Sequence, residues 1–251
     1  MPRHHAAHTD RRNFLRIAAV GLAIVALGPR VAAAQAPAGA PLKIAMIGAG
    51  REGSALGALF VKAGHPVMFA SRNPDRLKDL AAGLGPLAQA GSVEQAVAFG
   101  DVVCLVVPYP AIAEIGKAHA AALAKKVLVL DVSNPIPRRD GEEFVKKVND
   151  AGGAGLMTAK LVPGAHIVRG FNAIGSGQLA GLAHRAGDPV GVPIAGDDPT
   201  AIAAAEKLIR EIGFEPVLVG GLAMGKHLVP GTPLGGVHTP AELRQIAASL
   251  R

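Results

Sequence analysis

The sequence predicts an α/β protein with a doubly wound parallel sheet that has helices on both faces. From residue 42 onward, short apolar runs alternate with segments of helical periodicity, as in chains built from strand–helix–strand units. Two runs, 101–108 and 126–135, are largely apolar throughout, which is typical of parallel strands covered on both faces. Only 3% of the 251 residues are aromatic, so the core is expected to be mostly aliphatic.

The first elements of this sheet follow one another closely. Residues 42–48 are an apolar run that ends in glycine, and 54–64 carries apolar residues at helical spacing before a terminal glycine. The second strand is predicted at 66–71. The helix after it is predicted at 74–85, with a proline near its first turn.

The second half of the chain is less regular. The polar, glycine-rich stretch 138–155 is predicted to be a surface excursion. Strands are predicted at 165–172, 189–196 and 214–220. The helix predicted at 197–213 has an aspartate cap, a proline in its first turn and a glycine at its end.

The first 34 residues have the pattern of an export signal. Arg11-Arg12 precedes an apolar run of eleven residues, 17–27, and a small-residue stretch ends at Ala34. A helix needs roughly 20 residues to span a bilayer, so no stable membrane span is expected after cleavage. The pattern closely resembles a twin-arginine signal, which predicts recognition by the twin-arginine export machinery, cleavage near Ala34 and a periplasmic location. A retained amphipathic anchor is the alternative.

Composition argues against several other classes of function. The leader holds five arginines and one acid, and the rest of the chain has 21 Lys and Arg against 18 Asp and Glu. Since no basic run is interleaved with aromatic residues, we predict no nucleic-acid binding. The only thiol, Cys104, lies in an apolar run and is expected to be buried and inert. The histidines show no metal-ligand spacing, so no metal site is predicted, and His227 is retained as a residue at the edge of the site.

A glycine motif follows the first predicted strand. Gly48, Gly50 and Gly53 form a G-x-G-x-x-G between that strand and a helix. In this context the first glycine permits a tight turn, the second lets the backbone approach a pyrophosphate, and the third lets the helix pack against the sheet. The motif therefore predicts a Rossmann-like dinucleotide site.

The end of the second strand indicates which dinucleotide is bound. An NAD site usually has an acidic residue there, whereas this chain has Ser71-Arg72-Asn73, with Arg76 one turn later. Hydroxyl and guanidinium donors suit a 2′-phosphate, so NADP(H) is favoured over NAD(H). The alternative is that Arg72 and Arg76 are surface charges that pair with Asp75 or Asp79.

Five blocks resemble, in order, those of the NADP-dependent oxidoreductases that reduce the deazaflavin coenzyme F420. The resemblance covers roughly residues 42–228, and the same domain occurs in the six-transmembrane epithelial antigen metalloreductases, which pass electrons from NADPH to a flavin. The blocks are "IGAGREGSALGALFVKAGHPVMFASRNPDR", "VVCLVVPYPAI", "VLVLDVSNP", "LVPGAHIVRGFNAIG" and "VPIAGDDPTAIAAAEKLIREIGFEPVLVGGL".

The resemblance implies a role for residues at several strand ends. It places the phosphate turn at Ala49, Gly50, Arg51 and Glu52, and the 2′-phosphate at Ser71, Arg72 and Arg76. It places the nicotinamide ribose at Val107 and Pro108, and the nicotinamide ring at Ser133, Asn134 and Pro135. The second redox partner is placed at Phe171, Asn172 and Ala173. Asn134, Pro135 and Asn172 are the positioning candidates, and no catalytic acid or base is assigned. The alternative for the "SNP" and "FN" segments is ordinary turn chemistry.

These observations predict five segments and one leading function. The segments are a leader at 1–34, a linker at 35–41, an NADP-binding domain at 42–163, a smaller α/β lobe packed against it at 164–228, and a C-terminal tail at 229–251. The leading function is hydride transfer between NADPH and a flavin or deazaflavin, with coenzyme F420, FMN or FAD as the second redox partner. An exported NADP(H)-binding sensor without turnover and an NADPH-dependent reductase of a small carbonyl or imine are alternatives. The resemblance also implies a homodimer.

Overall fold

The computed structural model describes residues 40–250, so the predicted leader and most of the predicted linker lie outside the described part of the chain. Its strands are β1 (Ile44–Ile47), β2 (Val67–Ala70), β3 (Ala88–Gly91), β4 (Val102–Leu105), β5 (Leu128–Asp131), β6 (Ile167–Arg169), β7 (Gly191–Gly196) and β8 (Glu215–Gly220). Its helices are α1 (Arg51–Lys62), α2 (Lys78–Leu84), α3 (Val93–Phe99), α4 (Ala111–Leu123), α5 (Pro137–Asp140), α6 (Glu142–Asp150), α7 (Ala154–Leu161), α8 (Ser176–Leu182), α9 (Pro199–Glu211) and α10 (Pro240–Ser249). Two 3-10 helices span Pro74–Leu77 and Leu222–His227.

All eight of these strands belong to one sheet, in the order β3-β2-β1-β4-β5-β6-β7-β8. Neighbouring strands are parallel except β6 and β7, which are antiparallel. This confirms the predicted doubly wound α/β class. The last two strands, which come from the segment predicted as a smaller lobe, continue the same sheet, and the described residues belong to one compact unit.

The two faces of the sheet bury two separate cores. Along β1, Ile44 and Met46 belong to one core and Ala45 and Ile47 to the other, as expected from the alternation of side chains along a strand. Helices α1, α8 and α9 contribute to the first core, and α3, α4 and α7 contribute to the second. Burying a large apolar side chain such as Phe60, which is fully buried, stabilises the fold by roughly 1.5–3 kcal/mol.

Residues 138–155, predicted as a surface excursion, lie largely at the surface, but they are helical rather than irregular. This stretch forms α5, α6 and the start of α7. Its polar residues occupy the outer face, while Val148 and Ala154 are buried in the second core. Gly152 and Gly153 take positive φ angles of 93° and 97°, so they end one helix and begin the next rather than forming a long loop.

The residues predicted as a C-terminal tail include a packed helix. Thr239 caps α10 through a capping box with Glu242. Leu243 and Ala247 are buried against residues of β7 and β8. Among residues 40–250, no helix is long and apolar enough to cross a membrane.

The boundaries at two predicted helices differ from those observed. The first helix begins at Arg51, three residues before the predicted start, so it follows Gly50 directly. The segment predicted as one helix over 74–85 consists of a 3-10 turn followed by α2. The early start of α1 brings its unpaired backbone N–H groups to the glycine turn.

Candidate cofactor site

The sheet order creates a crevice at the carboxyl end of β1. The chain runs from β1 to β2 on one side and returns to β4 on the other, which is the switch point where doubly wound sheets bind ligands. Two clefts, of about 590 and 470 Å³, lie at this edge, and Val107 and Pro108 line both of them. The two clefts therefore adjoin at Val107 and Pro108.

The three glycines of the motif have different structural roles. Gly48 has a φ of 101°, and a Cβ there would lie 2.1 Å from the carbonyl oxygen of Val106. A Cβ on Gly53 would lie 2.0 Å from the carbonyl oxygen of Gly48. Gly50 has an ordinary φ of −75°, and a Cβ there would meet no atom within 4 Å. The protein thus needs the first and third glycines for its own packing, and the second leaves an open space that a phosphate group fits.

The first cleft contains the end of β2. Ser71 and Arg72 line it together with Gly48, and the Ser71 hydroxyl accepts a hydrogen bond from the backbone N–H of Asn73 at 3.1 Å. Asp75 pairs with Lys78 at 2.7 Å. Between residues 40 and 250, neither Arg72 nor Arg76 forms an ion pair, so the alternative pairing with Asp75 or Asp79 does not occur there. The Arg72 guanidinium is exposed at the cleft.

The second cleft brings together most of the other predicted residues. It is lined by Gly50, Arg51, Glu52, Gly53, Ser133, Asn134, Phe171, Asn172 and Ala173. Pro135 lies instead in a third cavity of about 290 Å³, which shares Ile136 and Pro230 with the second cleft. Ala49, Arg76 and His227 line none of these three cavities.

A buried ion pair that the sequence reasoning missed supports the second cleft. Asp131 and Arg169 are the last residues of β5 and β6 and lie opposite each other in the sheet register. Both are fully buried, and the Arg169 Nη1 donates to Asp131 Oδ2 at 2.5 Å. The Arg169 Nη2 also donates to the Ser133 carbonyl oxygen at 3.1 Å and to Asn134 Oδ1 at 3.3 Å. The pair therefore fixes the loop that lines the cleft.

The ion pair continues into a buried hydroxyl chain. Thr158 donates to Asp131 Oδ2 at 2.7 Å, and the Tyr109 hydroxyl lies 2.8 Å from the Thr158 hydroxyl and donates to the Ala154 carbonyl oxygen at 2.5 Å. Burial raises the pKa of Tyr109, so its hydroxyl stays neutral. Connected networks of this kind hold their members in place, although within residues 40–250 the buried Arg169 Nε has no hydrogen-bond partner.

Ser133 connects two strand ends. Its hydroxyl donates to the Leu105 carbonyl oxygen at 3.0 Å and accepts from the Val107 backbone N–H at 3.2 Å. Its own backbone N–H donates to Asp131 Oδ1 at 2.9 Å. Ser133 therefore holds the loop after β5 against the residues shared by the two clefts, and this hydroxyl is engaged within the protein.

Asn172 offers an unsatisfied polar atom to the second cleft. Its Nδ2 donates to the carbonyl oxygens of Asp131 at 3.1 Å and Ser133 at 3.3 Å, which fixes the orientation of the amide. Its Oδ1 is buried and has no hydrogen-bond partner within residues 40–250. Phe171 precedes it with a φ of 59°, a strained conformation for a bulky residue, and packs edge-on against Phe214 at 5.4 Å. The orphaned oxygen can accept a hydrogen bond from an amide donor on a ligand.

Glu52 is a half-buried carboxyl group in the same cleft. Burial raises its pKa to about 7, and a hydrogen bond from the Ser176 backbone N–H partly opposes this shift. Its Oε1 is buried and makes no hydrogen bond in the described part of the chain. Sequence reasoning placed Glu52 in the phosphate turn, but no pattern in the sequence indicated that its pKa is raised.

Two further sequence predictions concern cysteine and metals. Cys104 is fully buried, as predicted, and burial raises the pKa of its thiol to about 12. No group of three or more His, Cys, Asp or Glu side chains that could hold a metal ion lies within residues 40–250.

Comparisons with known proteins identify the domain that forms this crevice. Residues 43–135 match the family described as "NADP oxidoreductase coenzyme F420-dependent". The metalloreductase STEAP3 of Rattus norvegicus is 32% identical over 202 residues, which cover 78% of this chain and 37% of that protein. The chain thus spans little more than a third of the length of that relative.

Solved structures resemble the chain over a larger share of their length. A hypothetical protein from Sinorhizobium meliloti is 32% identical, with a TM-score of 0.66 over 79% of this chain and 95% of that one. A protein from Arthrobacter sp. FB24 assigned as an F420-dependent NADP-reductase is 22% identical, with a TM-score of 0.64 over 74% of this chain and 87% of that one, and supports the fold. Residues 43–135 are therefore an NADP(H)-binding oxidoreductase domain of the coenzyme F420-dependent NADP oxidoreductase family, related to the corresponding domain of the STEAP3 metalloreductase.

Proposed function

We propose that this protein transfers hydride between NADPH and a flavin or deazaflavin acceptor. The observation that carries the proposal is the pair of clefts that adjoin at Val107 and Pro108. The first is lined by Arg72, which forms no ion pair within residues 40–250, and the second by the open Gly50 turn and by Glu52 and Asn172, each of which has a buried oxygen without a partner in that range. An elongated dinucleotide fits this arrangement, with one end in each cleft. Family membership supports NADP(H) as that dinucleotide.

The first cleft would hold the adenosine end of the cofactor. Ser71 and Arg72 would receive the 2′-phosphate, because the exposed guanidinium can donate two parallel hydrogen bonds and is committed to no ion pair within residues 40–250. Arg76, one turn later, would add positive charge from outside the cleft. The pyrophosphate would lie over Gly50, at the start of α1.

The second cleft would hold the nicotinamide and the acceptor. Val107 and Pro108 would lie beside the nicotinamide ribose, and the Asn172 Oδ1 would accept a hydrogen bond from the carboxamide. Bound NADPH supplies the hydride, and the protein supplies position and exclusion of water. The network of Asp131 and Arg169 keeps Asn134 and Asn172 in place.

The proposal is tested by mixing the mature chain, from Gln35 onward, anaerobically with NADPH or NADH and with FMN, FAD or coenzyme F420. We expect saturable loss of nicotinamide absorbance with NADPH and one acceptor, and weak loss with NADH. Arg72→Glu should abolish the preference for NADPH, whereas Arg244→Glu, on exposed α10, serves as the matched charge control. Binding of NADPH without reduction of any acceptor would contradict the proposal and favour a sensor without turnover.

A second candidate function is the reduction of a small carbonyl or imine. Like the reduction of a flavin or deazaflavin, it consumes a proton as well as a hydride, and Glu52 is an acid with a pKa of about 7 in the second cleft. Cyclic imines and short ketones therefore belong among the acceptors in the same assay. Their reduction at rates above those with flavins would make this the function.

We also propose that the protein is exported through the twin-arginine pathway and cleaved near Ala34. The proposal rests on the Arg11-Arg12 pair, the short apolar run and the small residues that follow. Fractionation of cells that express the full chain, with mass spectrometry of the mature N-terminus, tests it. Replacing Arg11-Arg12 with Lys-Lys should retain the full-length protein in the cytoplasm, and an unchanged distribution would contradict it.

A further inference from the structure

Glu52 is the one acid that lines the second cleft in the part of the chain that the structure describes. It is the second residue of α1, and the Ser176 backbone N–H at the beginning of α8 partly opposes the rise in its pKa. Its Oε1 is buried and has no hydrogen-bond partner in the described part of the chain. Glu52 lines the cleft together with Asn134 and Asn172.

The charged groups around Glu52 do not neutralise it. Arg51 and Arg139 line the same cleft. The Arg139 guanidinium is bound to Asp140 at 2.7 and 2.8 Å and to the Asn134 carbonyl oxygen at 2.5 Å. Within residues 40–250, neither arginine forms an ion pair with Glu52. A half-buried carboxyl group without a cation is favoured in its neutral form.

Bound nucleotide would strengthen this preference. The pyrophosphate would lie at the start of α1, where Glu52 is the second residue, so an ionised carboxylate would be close to two further negative charges. The repulsion disfavours the charged form and raises the pKa above its value of about 7 in the free protein. Binding at alkaline pH must then take up a proton.

We propose that Glu52 is the proton donor of the second cleft, holding a proton while nucleotide is bound and giving it to the acceptor during reduction. This rests on the proposed function, since the acceptor is a flavin or deazaflavin. A hydride, which is one proton with two electrons, leaves NADPH for the acceptor, so NADPH is oxidised to NADP⁺ and the acceptor is reduced. The O–H bond of Glu52 breaks and its proton bonds to the acceptor ring nitrogen that gains negative charge, and water then reprotonates the carboxylate.

The first test measures proton uptake when NADP⁺ binds to the full chain. Titration calorimetry at pH 8 in two buffers of different ionisation enthalpy reports the number of protons taken up. At that pH the 2′-phosphate of NADP⁺, with a pKa near 6, is already ionised, so it does not account for the uptake. The wild type should take up a substantial fraction of one proton and Glu52→Gln none. Glu143→Gln, an exposed carboxylate on α6, is the matched control and should behave as wild type. Equal uptake by Glu52→Gln and wild type would overturn the proposal.

The second test measures turnover against pH. The wild-type kcat should fall above the pKa of the complex, while Glu52→Gln should lower kcat at neutral pH about 10²-fold or more, flatten the profile and leave the KM for NADPH within a few-fold. A variant that reduces the acceptor with the wild-type kcat and pH profile overturns the donor role and leaves the proposed function intact. If the wild type reduces no acceptor, the proposed function fails and the donor role fails with it, whatever the calorimetry shows.

Discussion

Replacing Gly50 with alanine should separate cofactor binding from folding. A Cβ at this position would meet no protein atom within 4 Å, and the φ of −75° suits any residue. The added methyl group would occupy the open space over the turn, where the pyrophosphate must approach the backbone. We therefore expect the variant to fold normally and to bind NADPH poorly.

The size of both effects follows from the geometry. Gly→Ala at a compatible backbone position stabilises a protein by about 0.4–1 kcal/mol through the unfolded state, so Gly50→Ala should unfold at an equal or slightly higher denaturant concentration. Forcing a methyl group into a closely packed contact costs roughly 1–3 kcal/mol. Applied to the bound phosphate, this corresponds to a rise in Kd of about 5-fold to 150-fold.

Gly53→Ala is the control with the opposite pattern. Its Cβ would lie 2.0 Å from the carbonyl oxygen of Gly48, which is backbone and cannot rotate away. We expect this variant to lose roughly 1–3 kcal/mol of stability before any ligand is added. Chemical denaturation without nucleotide and calorimetric titration with NADPH measure the two effects separately. An unchanged Kd for NADPH in Gly50→Ala would refute the assignment of the turn to the pyrophosphate.

Three other changes have defined outcomes. Arg169→Met leaves Asp131 buried and unpaired, so urea denaturation should show a loss of about 3–5 kcal/mol, and a smaller loss than in surface Arg244→Met would contradict this. Because the folded pKa of Glu52 is raised, its ionisation lowers stability as pH rises from 4.5 to about 7. Glu52→Gln should remove this loss, about 1–2 kcal/mol at pH 8 after allowance for partial exposure, and none at pH 4. Cys104 should react with an aromatic disulfide reagent only after denaturation, and rapid native labelling would contradict its burial.

The sheet was predictable because its strands are read from local pattern. Strands β4 and β5 lie within the apolar runs 101–108 and 126–135 and are buried on both faces, and Val107, Pro108 and Ser133, which line the crevice at their ends, belong to the same runs. The helices over 138–155 were missed because the stretch is polar overall. Helix α6 is amphipathic, but Val148 is its one fully buried side chain, and the glycines at 152 and 153 favour a loop in the local pattern.

The properties of the site depend on contacts that no local pattern encodes. The pKa of Glu52 is raised because burial in the folded chain removes water from its carboxyl group. Asn172 has an orphaned oxygen only because its amide nitrogen is held by carbonyl oxygens about 40 residues earlier in the chain. Sequence reasoning named both residues, but it could not assign their protonation or hydrogen bonding.

Asp131 and Arg169 show where a sequence signal was present but was not used. Each is a charged residue at the end of an otherwise apolar strand, and such a residue is almost never buried unless it is paired. In a parallel sheet the ends of neighbouring strands share one edge, so two opposite charges at the ends of β5 and β6 should meet once the two strands are known to be adjacent. The adjacency of β5 and β6 in the sheet, rather than either residue alone, explains why Asp131 and Arg169 form a buried ion pair beside the second cleft. The same reasoning makes charges at the ends of apolar parallel strands the first residues to examine for positioning roles in related sequences.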